Sequence, residues 1–276
     1  MEDKKSVAII IPVINLWDTF TKKCIDSVIS ACANLNHRIL LIYNASTDNT
    51  KEEAGKLVSA TFAHKRNEES WSVSKSWNYG IKDAFERGYD YVFVINNDIL
   101  LHKDSIEKLI ERFEEVTKNN ENIVLITAMD VRGEVSNAQD IFNLKSEDKK
   151  EVLEAESPNF SAFMIKKNCF ELVGEFDEGF DPAYFEDGDY HRRIKLLNLT
   201  AIVYPQALFY HFGSQTINQS PIDKILGAQG FENTQKYFID KWGGGPEIDG
   251  KIGERLWKFP FNESVNSLKW TKQNPV

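Results

Sequence analysis

No stretch of this sequence reaches the ~18 consecutive apolar residues that a membrane-spanning helix needs, so a transmembrane helix is not expected. Cysteine is scarce: Cys24, Cys32 and Cys169 are odd in number and far apart. They form no disulfide framework and lack metal-ligand spacing, which points to a reducing, cytoplasmic setting. Positive charge is also in deficit, with 33 Lys and Arg against 42 Asp and Glu, a formal net charge of -9. Such a balance opposes general attraction to DNA, RNA or anionic lipid. The locally basic stretch Lys251 to Lys272 reads as a solvated tail, with a phosphate-rich acceptor as the sharper alternative. The charged start Met1-Glu-Asp-Lys-Lys has no signal-peptide pattern. Internal repeats and a convincing second-domain boundary are missing as well. A chain of 276 residues is then one large domain, or one domain with a short appendage.

What is present is an alternation of strand and helix signals. Ser6 to Val13, Arg38 to Tyr43 and Tyr91 to Ile95 are short continuous apolar runs, the pattern of strands buried on both faces. Between them, Thr19 to Ala33 and the series Val73, Trp77, Ile81, Phe85 have helical spacing. Thr50 and Glu53 have the spacing of a capping box, and Asp104 precedes the helix carrying Ile106, Leu109, Ile110 and Phe113. Ile123 to Met129 is a further strand. Repeated units of this kind predict an α/β fold with a mostly parallel sheet flanked by helices. Residues from about Asp130 to Asn159 are polar, and long polar connections are often lids or binding loops. Beyond them lie a strand from Phe160 to Ile165, a short helix stopped by Gly174, a charged helical region from Tyr184 to Leu197 and a strand from Ala201 to Tyr204. A last helix is predicted from about Pro221 to Trp242, ended by Gly243 to Pro246.

Ligands in such sheets bind at the carboxyl ends of strands, where Pro12-Val13, the Asn44 loop and Asn96-Asn97-Asp98 all fall. Asp98 has the position of a carboxylate ligand for Mg²⁺ or Mn²⁺, which favour oxygen donors; the plainer reading is a capped strand-end turn. Glu186, Asp187 and Asp189 place three acids in four positions. One of them has the chemistry to take a proton from an attacking hydroxyl, whereas an acidic helix start is the bland alternative. His211 follows the apolar run Ala207 to Tyr210, as a neutral-imidazole metal ligand or as a hydrogen-bonded part of the fold.

The order of these motifs resembles that of the family-2 glycosyltransferases, which have the GT-A (Rossmann-like) fold. The resemblance covers about Ser6 to Thr216. Ile10-Ile11-Pro12-Val13 with Asn15 is similar to the family's opening strand, and Tyr43-Asn44-Ala45-Ser46-Thr47-Asp48 to its Asp-Asn-Gly-Ser-Thr-Asp loop. Asn67 and then Ser74 to Gly80, with Asn78, resemble the segment leading to the metal motif. Asn96-Asn97-Asp98 resembles the "DXD" variants that keep only the last acid. Gly174 to Glu178, Phe185 to Asp189 and Arg193 resemble the acceptor-side block, and His211 with Ser214 and Thr216 the closing histidine motif.

The resemblance implies a GT-A domain over 1-216, with a nucleotide-sugar-binding half at about 1-129 and an acceptor half at about 130-216. Residues 217-276 would be a C-terminal helical extension packed on the same domain. It implies that Pro12, Val13, Asn15, Asn44, Ser46, Asp48, Ser74, Asn78 and Asn97 contact the nucleotide sugar, and that Asp98 and His211 hold Mn²⁺ or Mg²⁺. Asp187 would be the general base, and Glu186 would position the acceptor or the base. The implied reaction is metal-dependent, inverting transfer from a nucleotide-sugar donor to a hydroxyl, of a glycan in the first instance. The segments Lys241 to Gly244 and Pro260-Phe261-Asn262 resemble glycosyltransferases of phage and bacterial surface-glycan clusters, which adds a modified DNA base as an acceptor that the net charge does not favour. Tyr43 stands where relatives often have a base-reading acid, so a uridine donor is not implied. Two rival readings remain. A non-catalytic nucleotide-sugar-binding protein would keep the fold. A sugar nucleotidyltransferase should carry a glycine-rich, basic loop after the first strand, and Pro12 to Asp18 has neither feature.

Overall fold

The computed structural model describes residues 5–57, 59, 61–146, 158–213 and 228–242. Eight strands form one sheet: β1 (Ser6–Val13), β2 (Asn36–Asn44), β3 (Phe62–Asn67), β4 (Tyr91–Ile95), β5 (Ile99–Leu101), β6 (Ile123–Asp130), β7 (Ala162–Lys166) and β8 (Thr200–His211). Their order is β3-β2-β1-β4-β7-β6-β8-β5. The helices are α1 (Lys22–Ala31), α2 (Thr50–Gly55), α3 (Val73–Glu86), α4 (Ser105–Asn119), α5 (Lys167–Val173), α6 (Glu186–Leu196) and α7 (Ala228–Trp242).

The continuous apolar runs are explained by a sheet covered on both faces. Along β1, Val7, Ile9 and Ile11 enter one core while Ala8 and Ile10 enter the other. Likewise Tyr91, Phe93 and Ile95 of β4 face the first core, and Val92 and Val94 the second. Each fully buried side chain of this size contributes ~1.5–3 kcal/mol of transfer free energy. On the second face α3 lies close to β1: a Cβ on Gly80 would stand 2.4 Å from Ile10 Cγ2, so glycine is required by proximity.

β1 sits where the strand order reverses, with β2 on one side and β4 on the other, both parallel to it. A crevice forms at such a switch point, beyond the carboxyl ends of the strands. The β1–β4 ladder ends at Ile10 and Val94, two residues before Pro12, which has no N–H to give a ladder.

Several expectations change in detail. β3 is an edge strand that its sequence, Phe-Ala-His-Lys-Arg-Asn, does not announce, because it is only partly covered. Instead of a strand Ala201 to Tyr204 and a separate apolar run, β8 is continuous through Pro205. It slips against β6 between Ala128/Tyr204 and Met129/Leu208. The predicted capping box at Thr50 is replaced by Asp48, whose Oδ1 accepts from the Thr50 N–H at 2.9 Å. Asp104 does precede α4, but its side chain makes no cap hydrogen bond. Within the polar 130–146 stretch, a 3-10 turn at Ala138–Asn143 buries Ile141 against Leu100, Val131 and Leu208. The expected start of the last helix, its glycine-rich end, Ser214, Thr216 and the basic tail lie outside the described residues.

Candidate active site

A cavity of about 460 Å³ opens at the carboxyl ends of β1, β2 and β4. This is within the usual range for small-molecule sites. Pro12, Val13, Asn44, Asn96, Asn97 and Asp98 line one part of it, and Ala183, Tyr184, Glu186 and Asp187 another. Trp71, Ser76, Trp77, Phe160, Ser161 and His211 also contribute to the wall.

Asp98 and His211 meet because of strand register. β5 leaves the Asn96-Asn97-Asp98 turn and pairs antiparallel with the end of β8, setting Ile99 opposite His211. The Phe212 N–H donates to the Asp98 carbonyl at 3.0 Å. The imidazole Nε2 then lies 3.1 Å from Asp98 Oδ1, and Nδ1 lies 3.4 Å from Ser161 Oγ. Asp98 is buried, and the imidazole is only slightly exposed. Among the described residues, no group of three or more His, Cys, Asp and Glu converges on one point. One carboxylate and one imidazole nonetheless fit a divalent ion that takes its other ligands from a substrate diphosphate, as Mg²⁺ commonly does.

Glu186 and Asp187 open α6, where the helix dipole favours negative charge. The two residues before them, Tyr184 and Phe185, have left-handed backbones with φ of 81° and 69°. Two consecutive aromatic residues there are uncommon, and such strain clusters at functional sites. Glu186 Oε2 is buried with no hydrogen-bond partner. Burial, followed by the charge of Asp187, raises the Glu186 carboxyl to about 8, against backbone N–H groups that favour its ionised form. Burial also pushes Asp187 upward, opposed by N–H donors that include Gly188, 2.7 Å from Oδ1. Burial raises the proton affinity of both acids, and a carboxylate with raised proton affinity that still ionises is suited to taking up a proton.

Residues 8–164, more than half of the chain, match the family model described as glycosyl transferase family 2. The chain belongs to that family. Among curated proteins no match is detected. Solved structures give the same fold. The structure titled GalNAc-T7 with UDP, GalNAc and Mn²⁺ aligns with TM-score 0.61 and 12% identity, over 88% of this chain and 49% of that one. The mannosyltransferase PcManGT from Pyrobaculum calidifontis, in complex with GDP-Man and Mn²⁺, aligns with TM-score 0.57 and 14% identity, over 89% of this chain and 67% of that one. This family-2 chain thus spans about half the length of GalNAc-T7 in that structure. The sheet described above is the GT-A fold.

Of the remaining candidates of this family-2 domain, Asn44 and Asn97 line the cavity, whereas Asn15, Ser46, Asp48, Ser74 and Asn78 do not. Asn15 Oδ1 accepts from the N–H groups of Thr47 and Asp48, and the Asn15 N–H donates to Ser46 Oγ, so Asn15 and Ser46 shape the loop after β2. Asp48 is engaged at the start of α2. Asn44 Nδ2 donates to Ser76 Oγ, and Asn44 Oδ1 accepts from Asn67. Asn97 lines the cavity while its amide donates to Thr21 Oγ1 at 2.9 Å. Ser74 is fully buried, and Asn78 is locked to both the N–H and the carbonyl of Phe176. Neither Ser74 nor Asn78 lines the cavity.

Asp189 turns away from the cavity into an ion network with Arg193 and Lys241. Among the lining residues that the sequence did not single out are Ser161, whose Oγ lies against His211 Nδ1, and Trp71, whose ring lies under the ammonium groups of Lys65 and Lys75. Lys75 itself is exposed, as its helical position implies.

Proposed function

We propose that this chain transfers a sugar from a nucleotide sugar to an acceptor hydroxyl, with inversion and with the assistance of a divalent metal. The observation that carries the reading is the makeup of one cavity. It combines the strand-end pair Asp98 and His211 with the carboxylates Glu186 and Asp187, and nothing else in the described residues offers a comparable set.

Pro12, Val13 and Asn44 would border the nucleoside, with Asn15, Ser46 and Asp48 shaping the loop beside it. Asp98 and His211 would hold Mn²⁺ or Mg²⁺, which supplies positive charge for the leaving diphosphate. Asp187 would take the proton of the attacking hydroxyl as its oxygen closes on the anomeric carbon. Glu186, largely protonated near neutral pH, would present a hydroxyl donor to an acceptor oxygen, or to Asp187 itself. The left-handed pair Tyr184–Phe185 would aim both acids, and Trp71 and Tyr184, which line the same cavity, would contact the acceptor.

Both structural relatives were solved with Mn²⁺ and a donor or its nucleotide, UDP in one and GDP-Man in the other, which motivates testing both nucleotides first. A glycan hydroxyl is the favoured acceptor. The test is a thermal-shift panel of UDP-, GDP-, CMP- and dTDP-sugars with Mn²⁺ or with EDTA. A true donor raises the apparent stability by mass action, and does so more with the metal. No shift with any donor at millimolar concentration would contradict the reading.

A further inference from the structure

Helix α7 comes from the far end of the described chain, yet it packs directly behind the cavity acids. Its terminal Trp242 is fully buried, and the indole Nε1 donates to Asp189 Oδ1 at 3.0 Å. Lys241, itself 6% exposed, lies 2.8 Å from the same oxygen and 2.5 Å from Asp177 Oδ2. Asp189 Oδ2 accepts from Arg193 Nε at 3.0 Å, and Tyr237 donates to Asp177 at 3.0 Å. Two buried carboxylates are therefore matched by two buried cations. Asp189 is three residues beyond Glu186 on α6, so the network grips the first turn of the helix that carries both cavity acids.

A second set of contacts grips the residues just before that turn. The Phe185 ring lies 5.1 Å from Phe231 and 5.8 Å from Phe238, and Tyr184 meets Phe231 edge-on at 5.2 Å. Tyr184 and Phe185 are the left-handed pair. A non-glycine residue keeps such a backbone only where its surroundings over-determine it, and here α7 supplies part of those surroundings. Buried ion networks are weak evidence for stability as such. This one joins three segments, 174–181, α6 and α7, at the base of the site.

We propose that α7 positions Glu186 and Asp187, acting through Lys241 and Trp242 on Asp189 and through Phe231 on the left-handed pair Tyr184–Phe185. The inference rests on the glycosyltransferase reading. Phe231, Lys241 and Trp242 do not line the cavity; they fix the direction in which the acids point. A displacement of ~1 Å can cost ~10²-fold in rate, whereas donor binding at the ends of β1 and β2 should not register it.

The test uses the full chain with Trp242→Phe, which removes the indole donor but keeps a ring, and Phe231→Leu, which removes the ring contact. Phe231→Tyr is the conservative rescue, and Ile239→Ala, on the exposed face of the same helix, is the control. The expected result is a fall in kcat of tenfold or more for Trp242→Phe and Phe231→Leu. Donor Kd should stay within twofold, and Phe231→Tyr and Ile239→Ala should remain near wild type. All assays run below the unfolding transition of each variant; should one variant unfold, the other carries the same comparison. Unchanged kcat, or kcat and donor affinity falling together, overturns the inference. Absence of turnover by the wild type with every donor instead overturns the glycosyltransferase reading beneath it.

Discussion

His211 Nε2 and Asp98 Oδ1 are 3.1 Å apart although 113 residues separate them in the chain. The pairing of β5 with the end of β8 brings them together, so neither residue depends on a mobile loop for its place. Asp98→Ala should lower Mn²⁺-dependent turnover by at least ~10²-fold, in line with losses typical when catalytic electrostatics are removed. His211→Ala should weaken donor binding in Mn²⁺ while leaving metal-free binding unchanged. Turnover at limiting Mn²⁺ checks the first, and calorimetric titration of the nucleotide with and without Mn²⁺ checks the second. Wild-type affinity and turnover at limiting metal would return the pair to a structural role.

Glu186 gives a prediction about stability and pH. Its folded carboxyl is raised to about 8 from an ordinary 4.5, chiefly by burial. Below pH 4.5 the side chain is neutral in both folded and unfolded states, and its burial carries no ionisation cost. Between pH 4.5 and 8 the unfolded chain releases the proton while the folded one keeps it, so stability is lost as pH rises through this window. Glu186→Gln removes the titration. It should match wild type near pH 4.5 and exceed it near pH 8, where each kcal/mol gained appears as ~2–4 °C in Tm. Melting curves across this range decide it, and a variant less stable at pH 8 would contradict the assignment. The same variant should raise the acceptor KM more than it lowers donor affinity.

Much of this architecture was legible in the sequence because β1, β2 and β4 are buried on both faces, which leaves unbroken apolar runs. The order of Asn96-Asn97-Asp98, Glu186-Asp187 and His211 was legible too, since each motif ends a strand or starts a helix. β3 was hidden because His64, Lys65 and Arg66 belong to a partly covered edge, where composition carries little strand signal. The Asp98–His211 contact follows from antiparallel register, which no local pattern encodes. Asn78 and Ser74 belong to the right segment, yet burial puts their side chains into helix packing and not into the cavity. Asp187 and Asp189 lie ~200° apart around a helix, in keeping with their different surroundings. That Asp189 pairs with Lys241 and Trp242 depends on a helix whose Trp242 is 53 residues away, and whose docking the sequence does not display.

The most direct measurement is nucleotide release from the preferred nucleotide sugar, by wild type and by Asp187→Asn, Glu186→Gln and Asp189→Asn, with donor affinity determined for each. Replacing Asp187 by Asn keeps its size and removes its basicity, so turnover should fall ~10²–10⁴-fold while donor Kd in Mn²⁺ stays near wild type. Asp189→Asn should lose less turnover than Asp187→Asn, to the extent expected of a positioning residue, because its carboxylate faces Lys241 and Trp242 and not the cavity. An active Asp187→Asn enzyme, beside a Glu186→Gln or Asp189→Asn enzyme that binds donor and fails to turn over, would show that another carboxylate is the base.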